Sequence, residues 1–185
     1  KKHQAYFDEL HAKENDNLEK KQALIDRLKE INIDKLKGNK QWEEATEKVQ
    51  AIQQEWRLIG LAPKKQNQTI YEEYRQLCDA FFKAKTAYYK GMRNEFAENL
   101  KKKRQLVEEA ESLKESTDWK ETTDKLVELQ KQWKAIGPVA RKYSDDLWKM
   151  FTTACDTFFE AKRVATKEAR EVFAQKRAEA KERWA

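Results

Sequence analysis

Trp42 to Lys85 reads WEEATEKVQAIQQEWRLIGLAPKKQNQTIYEEYRQLCDAFFKAK, and Trp119 to Lys162 reads WKETTDKLVELQKQWKAIGPVARKYSDDLWKMFTTACDTFFEAK. Superimposed end to end without a gap, the two stretches share a sparse but exacting set of positions. Trp42 falls on Trp119, Trp56 on Trp133, and Ile59-Gly60 on Ile136-Gly137. Lys65 falls on Lys142, Cys78-Asp79 on Cys155-Asp156, and Phe81-Phe82 on Phe158-Phe159. Conservative pairs fill the intervals: Lys64 with Arg141, Ile70 with Leu147, Tyr71 with Trp148, Tyr74 with Phe151. Self-similarity of this kind identifies a repeat, and a repeat is a supersecondary unit used more than once.

Upstream the register changes. Asn17-Leu18 matches Asn99-Leu100, Lys20-Lys21 matches Lys102-Lys103, and Leu24-Ile25 matches Leu106-Val107. The first copy thus carries five extra residues within Asn32 to Asn39, which marks that segment as a loop. Each copy reads as three helices. The first runs to about Ile31 or Leu113. The second carries two tryptophans about four helical turns apart, so both indoles face one side. In copy two, Ser116 or Thr117 is the expected cap of that helix. Gly60 and Gly137 are expected to end it, with Pro63 or Pro138 just beyond. The third helix is expected to begin near Asn67 and near Ser144.

Nothing stops that third helix. From Tyr74 the apolar positions run Leu77, Cys78, Phe81, Phe82, Tyr88, Met92, Phe96, Leu100, Leu106, Val107, Ala110 and Leu113. Their spacings of three and four keep a helical period. Gly91 costs about 1 kcal/mol against Ala and need not break a helix. One continuous helix of about 45 residues, roughly 65–70 Å long, is predicted to join the copies, with Gly91 as a bend or weak point. The fold class is therefore all-α: tandem three-helix repeats sharing a long linking helix, elongated. Residues 1–90 form the first repeat, residues 91–170 the second, and residues 171–185 the start of a further repeat's first helix. Ala5-Tyr6-Phe7 aligns with Ala87-Tyr88-Tyr89, so both ends resemble cuts through a longer array, whose terminal faces need neighbours.

Composition agrees and excludes several classes. Four glycines and two prolines in 185 residues leave few turns and long elements. An aromatic content of 11% argues against disorder. A net charge of +6, from 39 basic and 33 acidic residues, is weak support for nucleic-acid binding. No apolar run approaches the ~20 residues of a membrane span, so no membrane association is expected. Two cysteines are too few for a disulfide scaffold, which points to a cytoplasmic protein.

Trp133-Lys134-Ala135-Ile136-Gly137-Pro138-Val139-Ala140-Arg141-Lys142, followed by Leu147-Trp148, Phe151, Cys155 and Phe158-Phe159, resembles the bacterial "domain of unknown function 349" family. Copy one carries the same pattern as Trp56, Ile59-Gly60, Lys64-Lys65, Ile70-Tyr71, Tyr74, Cys78 and Phe81-Phe82. It departs at Leu61-Ala62-Pro63, where copy two has Pro138-Val139-Ala140. The resemblance covers nearly the whole chain as two tandem copies. It implies helical tandem repeats in bacterial proteins and no agreed activity.

The candidate residues sort by chemistry. Trp42, Trp56, Ile59, Gly60, Phe81 and Phe82, with Trp119, Trp133, Ile136, Gly137, Phe158 and Phe159, lie on helical stripes or at their ends and are assigned to the repeat core. Cys78 and Cys155 occupy one repeat position without a second Cys or a nearby His, so they read as small buried hydrophobes. His3 and His11 lie on a charged segment and read as solvated. No phosphate loop, zinc spacing or nucleophile elbow appears, so neither catalytic nor metal residues nor a cofactor are assigned, and no enzyme is expected.

What remains is the basic pair of each repeat, Lys64-Lys65 and Arg141-Lys142, placed just before a helix start where free N–H groups and the helix dipole favour anions. A second basic run, Lys101-Lys102-Lys103-Arg104, is expected to face water for the most part. The reading is a non-catalytic helical-repeat scaffold from a longer bacterial tandem-repeat protein, with a protein partner. The alternative is an RNA- or DNA-binding module using the repeated basic pairs. Homodimerisation through exposed faces of the linking helix is compatible with both.

Overall fold

The computed structural model describes residues 1–184, which form α1 (Lys2–Glu30), a short 3-10 turn (Ile33–Lys35), α2 (Asn39–Leu58), α3 (Lys64–Leu113), α4 (Trp119–Ala135) and α5 (Arg141–Trp184). The chain is 89% helical and has no strand among the described residues, as an all-α protein should. None of these helices is long and apolar enough to cross a membrane. Two compact units are present, Lys1–Lys90 and a second beginning at Gly91. α3 is one helix of 50 residues, and Gly91 does not interrupt it.

Each unit has its own core. In the first, α2 turns one face inward: Trp42, Ala45, Val49, Ile52 and Trp56 are all buried, at the spacings of three and four that a helix face requires. Ile25 from α1 and Phe81 from α3 pack against that face. In the second, Thr122, Leu126, Leu129 and Trp133 of α4 do the same, closed by Ala110 of α3 and by Phe151 and Phe158 of α5. The rings stack at matching places. Trp56 lies parallel to Tyr74 at 3.9 Å between centroids, and Trp133 lies parallel to Phe151 at 4.5 Å. Trp42 and Trp119 differ. Trp42 stacks on Tyr88 at 5.3 Å, but Ala165 occupies the equivalent place in the second unit. Trp119 is therefore only half-buried, beside an open hollow lined by Ala169 and Phe173.

Four local expectations are corrected. The third helices begin at Lys64 and Arg141, three residues early, because the carbonyls of Pro63 and Ala140 accept the first-turn N–H groups of Gln66 and Tyr143, each at 2.9 Å. Asn67 is no cap; its Oδ1 accepts from the Ala62 N–H at 3.3 Å. The cap of α4 is Asp118, whose Oδ1 accepts from the Glu121 N–H. Ser116 instead shares a 2.7 Å hydrogen bond with Thr122 and accepts from the Asp118 N–H, holding the cap in place.

The glycines carry the fourth correction. α2 ends at Leu58 and α4 at Ala135, the extended residues Ile59 and Ile136 follow as their C-caps, and neither Gly60 nor Gly137 has a positive φ. Gly60 is exposed and Gly137 half-buried, so neither fills the core. Their role is close approach. Asn17 Nδ2 donates to the Leu61 carbonyl at 2.9 Å, and Asn99 Nδ2 donates to the Pro138 carbonyl at 2.8 Å. A Cβ at Gly60 would meet Asn17 Nδ2 at 3.0 Å, and one at Gly137 would meet Asn99 Nδ2 at 2.9 Å. An asparagine thus ties the first helix of each unit to the turn that leads into the third, and glycine leaves it room.

Candidate anion-binding surface

That tied turn delivers the basic pairs. Lys64-Lys65 open α3 and Arg141-Lys142 open α5, so they sit within the first turn rather than ahead of it. All four are exposed, and neither first turn contains an acidic residue. Among the described residues none of the four forms an ion pair. The dipole makes a helix start positive, so each cation there costs about 0.3–1 kcal/mol at low salt. Both units place uncompensated positive charge where the helix itself disfavours it. Asp145 and Asp146, one turn further along α5, are the nearest acids in sequence and do not pair with Arg141 or Lys142.

Lys101, Lys102 and Arg104 of the second basic run are exposed, as expected, and Lys103 is the exception. Lys103 is half-buried, its ammonium 4.8 Å from the centroid of the Trp133 ring. Lys21, its repeat equivalent, is buried, its ammonium 5.0 Å from the Trp56 ring, and burial pulls its pKa below the usual lysine value. A cation over an indole is favourable, so each unit uses one lysine of its first helix to cover its second tryptophan. Arg104, next along, reaches Tyr143 with its guanidinium 5.3 Å from the ring, and Lys142 lies 5.0 Å from the same ring. The run on α3 and the pair on α5 therefore converge, which their separation in sequence conceals.

Two further residues belong to this surface. Tyr143 is half-buried between its two cations. Trp148 is 54% exposed while its ring touches Trp133 at 5.8 Å, and the equivalent Tyr71 is 46% exposed. Repeat alignment pairs Tyr71 with Trp148, but pairing alone cannot show that the position faces outward. Only the helical phase relative to Phe151 and Leu147, both buried, does so.

The family model for "Domain of Unknown Function (DUF349)" matches residues 1–65 and again residues 69–142, most of the chain. The chain belongs to the DUF349 family. No curated protein and no solved structure is significantly similar to it. The two DUF349 matches end at Lys65 and Lys142, which are equivalent positions of the repeat.

The other candidates in this DUF349 chain are accounted for by packing. Cys78 and Cys155 are buried, and burial pushes both thiols above the usual cysteine value, the reverse of what activates a nucleophile. Among the described residues no three His, Cys, Asp or Glu side chains gather as a metal site would need. His3 and His11 are exposed. Tyr74, stacked on Trp56, has its phenol pushed up to about 12, chiefly by burial. Its ordinary value is about 10, so folding favours the neutral phenol. The stability this gives is present below pH ~10 and is lost as pH rises toward the folded value. Of the six tyrosines, Tyr74 and Tyr89 are both raised, chiefly by burial, Tyr74 to about 12, so Tyr74→Phe should remove the latest step of an ultraviolet alkaline titration. A step near 12 that survives the substitution would contradict this assignment.

Proposed function

We propose that this DUF349 chain is a non-catalytic helical-repeat scaffold. It offers an anionic partner the free cations at the start of each unit's third helix. One observation carries the reading: Lys64-Lys65 and Arg141-Lys142 stand exposed at equivalent places, without an ion pair among the described residues, in first turns that hold no acid. Charge held where the fold disfavours it is the mark of a binding surface that trades stability for function. Both cysteines are buried with their thiols raised above the usual value, so neither is an activated nucleophile.

The test follows from the sign of the helix dipole. Changing all four residues to Glu places acids at helix starts, where they are favourable. Thermal stability of the variant should hold or rise, while capture of partners from cell extract is lost and the wild-type interaction weakens with salt. Undiminished capture, or collapse of the fold on charge reversal, would contradict the proposal. A turnover by the pure protein that one point substitution abolishes would remove the non-catalytic reading.

A further inference from the structure

We infer that the second unit's surface takes single-stranded nucleic acid, with Arg104, Arg141 and Lys142 holding phosphates and Trp148 stacking on an unpaired base. This inference rests on the preceding reading of the surface as anion-binding and names the class of anion.

Three observations point this way. The first is how the cations are held. Arg104 and Lys142 both lie over the Tyr143 ring, so a single side chain gathers the two charges. A ring face orients a guanidinium or ammonium without consuming the N–H groups at its edge, whereas a salt bridge would occupy them. Among the described residues neither forms an ion pair. They are positioned and still free to donate to phosphate oxygens.

The second is the exposed indole. Trp148 touches Trp133, at an interplanar angle of 46°, and remains more than half exposed. Trp133 in turn carries Lys103. Arg141 lies seven residues, about two turns, before Trp148, so the two fall on one side of α5, and Arg141 adjoins Lys142, which shares the Tyr143 ring with Arg104. Bases stack on exposed aromatic rings whatever their identity, while the backbone follows positive charge. A duplex keeps its base faces covered, so the indole selects for single strands. An acidic protein segment would satisfy the cations but does not bring a flat ring with every residue, as a nucleic-acid strand does.

The third is a paired difference between the units. Arg104 and Tyr143, which touch, correspond to Gln22 and Gln66 in the first unit. Copy two thus has a cation and the ring that holds it where copy one has two amides. The stacked core pairs Trp56–Tyr74 and Trp133–Phe151, by contrast, keep their geometry in both units.

The experiment measures binding of a labelled oligouridylate of about 12 nucleotides, a span that such sites commonly cover. A duplex of the same sequence and polyglutamate serve as competitors. The wild type should bind the single strand, prefer it over the duplex, resist polyglutamate, and lose affinity steeply with salt. Arg104→Gln with Tyr143→Gln installs residues the first unit already folds with, and should weaken binding about tenfold with a shallower salt slope. Trp148→Ala should weaken it by a similar factor and abolish the preference over duplex, whereas Trp148→Tyr should retain most of it. Absence of single-strand binding, equal affinity for duplex, equal competition by polyglutamate, or affinity unmoved by both variants would each overturn the inference. A protein that ignores the oligonucleotide, yet captures an anionic partner through Lys64, Lys65, Arg141 and Lys142, would sink this inference and leave the preceding proposal standing.

Discussion

Phe158→Ala is expected to destabilise the second unit by about 3–5 kcal/mol, the range for truncating a fully enclosed phenyl ring. Phe158 has no exposed surface. It meets Phe159 edge-on at 5.3 Å and lies 5.7 Å from Trp119. Removing it forfeits both the transfer energy of the ring and the contacts of everything around the hole. Three helices contribute to that wall, and none can close in without dragging Trp119 and Phe151 from their own contacts. Ala is the better helix former at this place, by at most ~0.7 kcal/mol, which does not offset the cavity. The effect should be local. Phe158 belongs to a core distinct from the one built by Ile25, Val49 and Phe81. Native-state hydrogen exchange should therefore quicken in α4 and the buried part of α5 while α1 and α2 keep their protection. A loss below ~1 kcal/mol, or equal loosening of both cores, would show that the ring does not fill the interior described here.

Gly137→Ala should cost about 1–2 kcal/mol, and Gly60→Ala close to nothing, although the two glycines occupy one repeat position. In each case the new Cβ would press on an asparagine amide nitrogen, 2.9 Å away for Gly137 and 3.0 Å for Gly60. The amide sits at the end of a short flexible side chain and can swing aside, so steric strain is not the main expense. The hydrogen bond is. Asn99 is buried and bonded to the Pro138 carbonyl, and once displaced it finds no water, which costs about 1–3 kcal/mol. Asn17 is only half-buried and exchanges the Leu61 carbonyl for solvent. Removing a glycine also stiffens the unfolded chain, which returns about 0.4–1 kcal/mol in both variants. Denaturant midpoints measured side by side will show the asymmetry. Equal losses at the two positions would mean that backbone conformation, not the asparagine, is what the glycines serve.

The helical class, the two tandem copies and the inward-facing second helices are legible because they are properties of spacing along a single helix. Trp42 and Trp56 on α2, and Trp119 and Trp133 on α4, each recur on one side of their helix and leave little choice about which side is buried. Helix starts are less so. Asn67 and Ser144 have the right side chains for caps, but the carbonyls of Pro63 and Ala140 close the first turn three residues earlier, a matter of backbone path rather than composition. The glycines mislead for a related reason. A Gly after a helix usually signals a left-handed residue, whereas these two make room for an asparagine on the unit's first helix, far upstream in the chain. The candidate surface is half legible. Both basic pairs are visible as repeats, but Arg104 and Tyr143 come together only when α3 and α5 pack side by side. The swap of Gln22 and Gln66 for Arg104 and Tyr143 is the available signal, and it acquires meaning only once those positions are known to touch.

The lysines of this chain divide into those the fold employs and those it leaves open, and reactivity toward an amine-acylating reagent, read residue by residue by mass spectrometry, tests that division directly. Lys64 and Lys65 should react as fast as unstructured lysine. Lys21, buried over Trp56, should be slowest, and Lys103, over Trp133, should fall between. Protection of Lys64 and Lys65 in the free protein, or Lys21 reacting as quickly as they do, would contradict the assignment of these charges to partner and core.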